Sequence, residues 1–207
     1  PAVQEMVEGM ALFVDRYAAE GGLRIETMEE LEEYCWYVAG TVGHLVTGLV
    51  SRDSSDQRQD RLYETADSFG LLLQLVNVAK DLATDYHTEN NVYVPQEVLQ
   101  RHGLETTDIA DDTQSAAFEP VITDIVDRAE QYTDDARDWL ETMPRSRGNT
   151  LGAWAIPFLL AVGTIRELKT RPRDVITEGD VKVSRTEVQV LLHTFTGDER
   201  PSLERIQ

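Results

Sequence analysis

From Ser68 to Asp85 the chain reads Ser-Phe-Gly-Leu-Leu-Leu-Gln-Leu-Val-Asn-Val-Ala-Lys-Asp-Leu-Ala-Thr-Asp, and no other segment limits the fold so strongly. Leu71, Leu72, Leu73, Leu75, Val76, Val78, Ala79 and Leu82 cover most of the circumference of a 3.6-residue helix, so other elements must surround it. Four polar residues interrupt that surface in register. Gln74, Asn77, Asp81 and Asp85 stand at i, i+3, i+7 and i+11, on one stripe. Turned inward, such a stripe needs neutralising, because an unpaired buried ion is strongly destabilising. Basic side chains or a metal would supply this; otherwise the stripe is a solvated seam on a surface helix. Asn77-x3-Asp81-x3-Asp85 offers hard oxygen ligands one turn apart, which suit Mg²⁺ when phosphate oxygens and waters complete its octahedron.

The same period runs through nearly the whole chain, and alternating strand-type runs are hard to find, so the chain reads as all-α. A first helix is expected from about Gln4 to Glu20, stopped by Gly21-Gly22. Thr27 and Glu30 have capping-box spacing at the head of a long helix to about Val50. Ser51 to Asp60 reads as a loop, Arg61 to Tyr86 as a third helix, and Pro95 opens a short helix to about Arg101. The acidic stretch Leu104 to Gln114 reads as loop. Further helices are expected over Ala116 to Glu141, over Leu151 to Lys169 with a kink at Pro157, and over Ser184 to Phe195 behind a second capping box, Ser184 with Glu187. With 41% apolar residues, no internal repeat and no long linker, residues 1–207 read as one domain. The chain opens on Pro1 and enters a helical pattern almost at once, as a fragment would.

Charge and composition narrow the function. Thirty-eight acids against 19 bases give a net charge of −19, which repels phosphate backbones and argues against nucleic-acid binding. Lys80, Lys169 and Lys182 are the only lysines, and acids are spread along the whole length, as on a salt-adapted, halophilic surface. Cys35 is the only cysteine, so no intrachain disulfide can form, which fits a cytoplasmic protein. His44, His87, His102 and His193 have no metal-site or triad spacing, and no apolar run is long enough to span a bilayer.

A second segment, Tyr34-Cys-Trp-Tyr-Val-Ala-Gly-Thr-Val-Gly-His44, places Ala39, Gly40 and Gly43 within a helix, where each Gly costs about 1 kcal/mol relative to Ala. Something comes close there. It is either a neighbouring helix or an apolar ligand in a groove flanked by Val38 and Val42, with Tyr34 at one end.

These two segments, followed by Asn91-Val-Tyr93-Val-Pro95, resemble the squalene and phytoene synthase family, and the likeness runs from about Met6 to about Val190. Ala155-Ile156-Pro157 and Val181-Lys-Val-Ser-Arg185 look more like its squalene synthase branch. The resemblance implies an isoprenoid synthase-type helical bundle around a central apolar cavity. It also implies a Mg²⁺-dependent prenyltransferase joining two farnesyl diphosphates head to head, with NADPH for reduction to squalene. The alternatives are a phytoene synthase using geranylgeranyl diphosphate and a catalytically silent scaffold relative. By the same likeness, Asn77, Asp81 and Asp85 are metal ligands and Tyr34 handles protons or stabilises a carbocation. Val38, Ala39 and Gly43 line the prenyl channel, and Gln74, Lys80 and Tyr93 lie at the substrate. Product release would involve at most a peripheral membrane contact.

Three departures accompany the likeness. The family's first aspartate-rich motif would lie upstream of Met6, making these residues the C-terminal part of such an enzyme. The other Asp-x3-Asp pairs, Asp56 with Asp60, Asp108 with Asp112 and Asp134 with Asp138, read as solvated acid. Lys80 stands where relatives usually carry Arg, which keeps the charge but loses bidentate phosphate geometry, and Asn91 stands where many carry Arg, which leaves the diphosphate one fewer counter-charge.

Overall fold

The computed structural model describes residues 2–144, 150–179 and 181–196. Its core gathers around one helix, α5 (Ala66–Glu89), on which 12 residues are buried, among them Leu71, Leu72, Leu75, Val78 and Leu82. Before it come α1 (Ala2–Arg16), α2 (Met28–Cys35), α3 (Thr41–Val50) and α4 (Asp56–Glu64). After it come α6 (Gln96–Arg101), α7 (Glu119–Glu130), α8 (Thr133–Thr142), α9 (Thr150–Thr170), α10 (Asp174–Thr177) and α11 (Arg185–Thr196). Helices α3, α7, α8 and α9 all pack on α5, which explains why its sequence is apolar nearly all round. The all-α reading holds among the described residues, where the only β pairing is an isolated parallel bridge between Arg24 and Val92.

The long helix expected from Thr27 to Val50 contains a defect invisible in the periodicity. Residues Trp36–Gly40 form a π-helical segment, closed by a bond from the Thr41 N–H to the Trp36 carbonyl. Here the Ala39 carbonyl presses on α5: a Cβ on Gly70 would lie 2.4 Å from that oxygen, so only glycine permits the approach. At the head of α2, Thr27 Oγ1 accepts from the Glu30 N–H at 3.2 Å, but the Glu30 carboxylate returns to the Glu26 N–H at 2.8 Å rather than to Thr27. The Ser184 and Glu187 capping box forms completely, with both bonds at 3.2 Å.

Three expected boundaries are corrected. Helix α4 starts at Asp56 within the expected loop and ends where the Thr65 hydroxyl bonds the Arg61 carbonyl at 3.1 Å, so residues 61–86 are not one helix. The helix expected over Ala116 to Glu141 breaks between α7 and α8, which brings Arg128 and Tyr132 together onto Glu32. The acidic loop is two 3-10 turns, Thr106–Ala110 and Asp112–Phe118, pinned by buried Ile109 and Phe118. Its acids act as caps: Asp108 accepts from the Glu105 N–H at 2.8 Å and Asp111 from the Thr113 N–H at 2.9 Å. Pro157 lies inside α9, which continues through it. Among the described residues no helix is long and apolar enough to cross a membrane.

Candidate functional site

Three turns of α5, from Gln74 to Asp85, build a cavity of about 340 Å³ with Tyr34 of α2 and Tyr93 just beyond α5. Its lining is Tyr34, Gln74, Asn77, Val78, Lys80, Asp81, Asp85 and Tyr93. Thus the whole expected stripe, both flanking residues Lys80 and Tyr93, and Tyr34 from 40 residues upstream share one wall. The stripe is not sealed inside the core. Asn77 is exposed, and Gln74, Asp81 and Asp85 are partly buried, because the residues that surround α5 cover its other faces.

The carboxylates are unequal. Lys80 pairs with Asp81 at the cavity edge. Asp85 is pushed up to about 6, first by burial, then by the charges of Asp81 and Glu89, with Lys80 opposing. A divalent cation would relieve that repulsion, and two carboxylates with a neighbouring amide are hard donors of the type Mg²⁺ takes. Among the described residues no three His, Cys, Asp or Glu side chains gather at metal-binding distance. The stripe therefore fits an ion that draws its remaining ligands from water and a bound diphosphate, not an all-protein cage.

Tyr34 is buried under this wall. Its ring stands 5.0 Å from that of Tyr93. Burial, and then the neighbouring Tyr93 hydroxyl, push the Tyr34 phenol well above its ordinary value, so it remains neutral. It can donate a hydrogen bond or offer its ring face to a cation, but it is poorly suited to act as a base.

Val38, Ala39 and Gly43 are not part of this cavity. Val38 is half-buried against the core, and Ala39 presents its carbonyl to Gly70. Gly43 is buried at the crossing of α3 and α5, where a Cβ would lie 1.9 Å from the Ala66 carbonyl oxygen. Of the dismissed Asp pairs, Asp56 and Asp60 are exposed, Asp134 is 91% exposed, and Asp138 pairs with Arg61 at 2.6 Å. The sequence reading missed what Asn91 does. Its amide ties the Tyr93 hydroxyl to the backbone of Leu23, a bond between segments 68 residues apart with no motif to announce it.

Residues 1–187 match the family model described as squalene/phytoene synthase. The chain belongs to this family. It is similar to squalene synthase from Schizosaccharomyces pombe, with 27% identity over 193 residues, 92% of this chain and 41% of that protein. Phytoene synthase from Pseudescherichia vulneris is 32% identical over 133 residues, 64% of this chain and 40% of that protein. Among solved structures, the complex of TcSQS with the ligand E5700 superposes with a TM-score of 0.81 at 25% identity, covering 98% of this chain and 56% of that one. The chain thus spans less than half the length of these curated relatives, and its bundle is that of squalene synthase-type isoprenoid synthases.

Proposed function

We propose that this chain supplies one diphosphate-holding wall of a squalene synthase-type prenyltransferase that joins two farnesyl diphosphates head to head. The observation that carries the reading is the convergence of Gln74, Asn77, Asp81, Asp85, Tyr34 and Tyr93 on one cavity. The squalene synthase relative supports it by matching 92% of the chain. Asn77, Asp81 and Asp85 would hold Mg²⁺, which neutralises charge on a departing diphosphate. Lys80 adds a positive charge at the rim, and Tyr34 with Tyr93 presents neutral hydroxyls and aromatic faces where a carbocation needs shelter from water. Reduction to squalene would draw on NADPH. Val38 and Ala39 of the π-helical segment and Gly43 of α3 would lie on the prenyl-channel side, with Gly43 setting the distance to α5.

A second reading, condensation of geranylgeranyl diphosphate to phytoene, is favoured by the higher identity to phytoene synthase over a shorter span. Product analysis with each diphosphate, Mg²⁺ and NADPH, on the enzyme that contains this chain, separates the two. Presqualene diphosphate or squalene from farnesyl diphosphate is expected. Phytoene from geranylgeranyl diphosphate would replace the first reading with the second, and no Mg²⁺-dependent diphosphate binding would overturn both.

A further inference from the structure

The Asn91 amide oxygen and both of its Nδ2 protons have partners. Its Oδ1 accepts from the Leu23 N–H at 2.9 Å, and a backbone donor there fixes which way the amide faces. Both Nδ2 protons must then point the other way, and they reach the Glu89 carboxylate and the Tyr93 hydroxyl oxygen, each at 3.1 Å. The backbone holds the group in place. Asn90 closes α5 in the left-handed region, φ 55°, and the Asn91 N–H bonds the Asp85 carbonyl at 3.1 Å. Arg24 grips Asn90 through Oδ1 at 2.6 Å, while the Val92 N–H bonds the Leu23 carbonyl at 2.9 Å. Asn91 is therefore bonded to the same turn of helix that carries Asp85.

A phenol oxygen has two lone pairs and one proton. At Tyr93, the Asn91 amide donates into one lone pair, so the phenol proton cannot point back at Asn91. Turned away from Asn91, that proton belongs to a residue that lines the cavity with Asp81 and Asp85. We propose that Asn91 is a positioning residue that turns the Tyr93 hydroxyl into a hydrogen-bond donor aimed at an anionic oxygen of a bound diphosphate. This rests on reading the cavity as a diphosphate site. Asn91 thus contributes by orienting a neutral donor, where an arginine would contribute charge. Such a donor resists competition from salt better than a lone cation would, because a directed O–H bond is less screened.

The test is calorimetric titration with inorganic pyrophosphate and Mg²⁺ on wild type, Asn91→Asp, Tyr93→Phe and the double variant, with thermal melting of each as a check on folding. Aspartate at 91 keeps an acceptor for the Leu23 N–H but offers Tyr93 no proton and draws the phenol proton away from the cavity. Tyr93→Phe is expected to weaken pyrophosphate binding about tenfold, as for loss of one charge-assisted bond. Asn91→Asp should weaken it at least as much in the wild-type background and clearly less where Tyr93 is already Phe. Equal effects in both backgrounds would show that the new charge acts alone and would overturn the proposal, as would no effect in either. Absence of Mg²⁺-dependent binding by wild type would instead remove the diphosphate reading, and this inference with it.

Discussion

Gly43 on α3 and Ala66 at the start of α5 touch backbone to backbone, leaving no room for a side chain: a Cβ on Gly43 would fall 1.9 Å from the Ala66 carbonyl oxygen. A flexible side-chain tip could swing aside, but a helix backbone cannot. Gly43→Leu is therefore expected to destabilise the fold by about 3 kcal/mol, the upper end for overpacking. For a chain this size that lowers the melting temperature by roughly 6–12 °C. Thermal melting followed by circular dichroism checks it. An unchanged melting temperature with altered product would give Gly43 a channel role independent of packing.

That contact also marks how far the sequence could be read. Period and composition were enough for α1, α5 and the all-α class, because apolar residues at helical spacing have few other uses. The stripe from Gln74 to Asp85 was legible because four polar residues in register on a greasy helix conflict with burial unless something binds them. The small residues at 39, 40 and 43 announced a close approach without saying to what, since a helix and a prenyl chain make the same demand. The π-helical segment at Trp36 to Gly40 was silent because one extra residue per turn leaves the local pattern nearly unchanged. The breaks at Thr65 and at residues 131 and 132 come from side chains that bond a carbonyl one turn back or a distant partner, and periodicity does not register such bonds. For the same reason Asn91 looked like a missing arginine and nothing more.

Glu32 on α2 joins α7 and the N-cap residue of α8, and gives the fold an acid-sensitive point. Its carboxylate takes Nε and Nη2 of Arg128 at 2.6 Å each and also accepts from the Tyr132 hydroxyl. Burial pushes this carboxyl up, but the bonds from Arg128 and Tyr132 and the arginine charge outweigh burial, so it lies below its ordinary value. A depressed acid adds stability above its unfolded value, near pH 4.3, and loses it as pH falls through the folded value. Discounted for partial exposure of the pair, Glu32→Gln should cost about 1–2 kcal/mol at neutral pH. The cost should shrink in more acidic buffer. Urea titrations of both proteins across this range measure it, and a constant difference would mean the carboxylate's charge is irrelevant.

The net charge of −19 should make stability depend on salt. Acids crowd locally as well as globally: Glu30 and Glu33 share Arg16 as partner, beside Glu26 and Glu29. Raising salt from about 0.1 M to about 1 M shortens the screening length from about 10 Å to about 3 Å, which removes most repulsion between exposed like charges while buried pairs persist. The melting temperature is therefore expected to rise with potassium chloride. A flat or falling curve would show that the ion pairs already balance the surface and would argue against salt adaptation.

Asp81→Asn separates the stripe's binding role from its structural cost. In wild type, Asp85 is pushed up to about 6 by burial and then by the charge of Asp81, so ionised Asp85 is a liability to the fold. A raised acid stabilises below its unfolded value, and that contribution is lost as pH rises through the folded value near 6. Removing the Asp81 charge makes this loss smaller above pH 6 and changes little well below it. The mutation also breaks the part-exposed pair with Lys80, worth about 0–1 kcal/mol. The two effects oppose each other, so melting temperatures of variant and wild type should agree closely at neutral pH, with the variant relatively less stable in acid. Binding should respond quite differently. One of only two carboxylates facing the cavity is gone, so Mg²⁺-dependent pyrophosphate affinity should fall at least about tenfold, the loss expected from one charged ligand. Calorimetry with and without Mg²⁺ reads this directly. Unchanged affinity in a folded variant would show that Asp81 holds no metal and that Lys80 is its only partner of consequence.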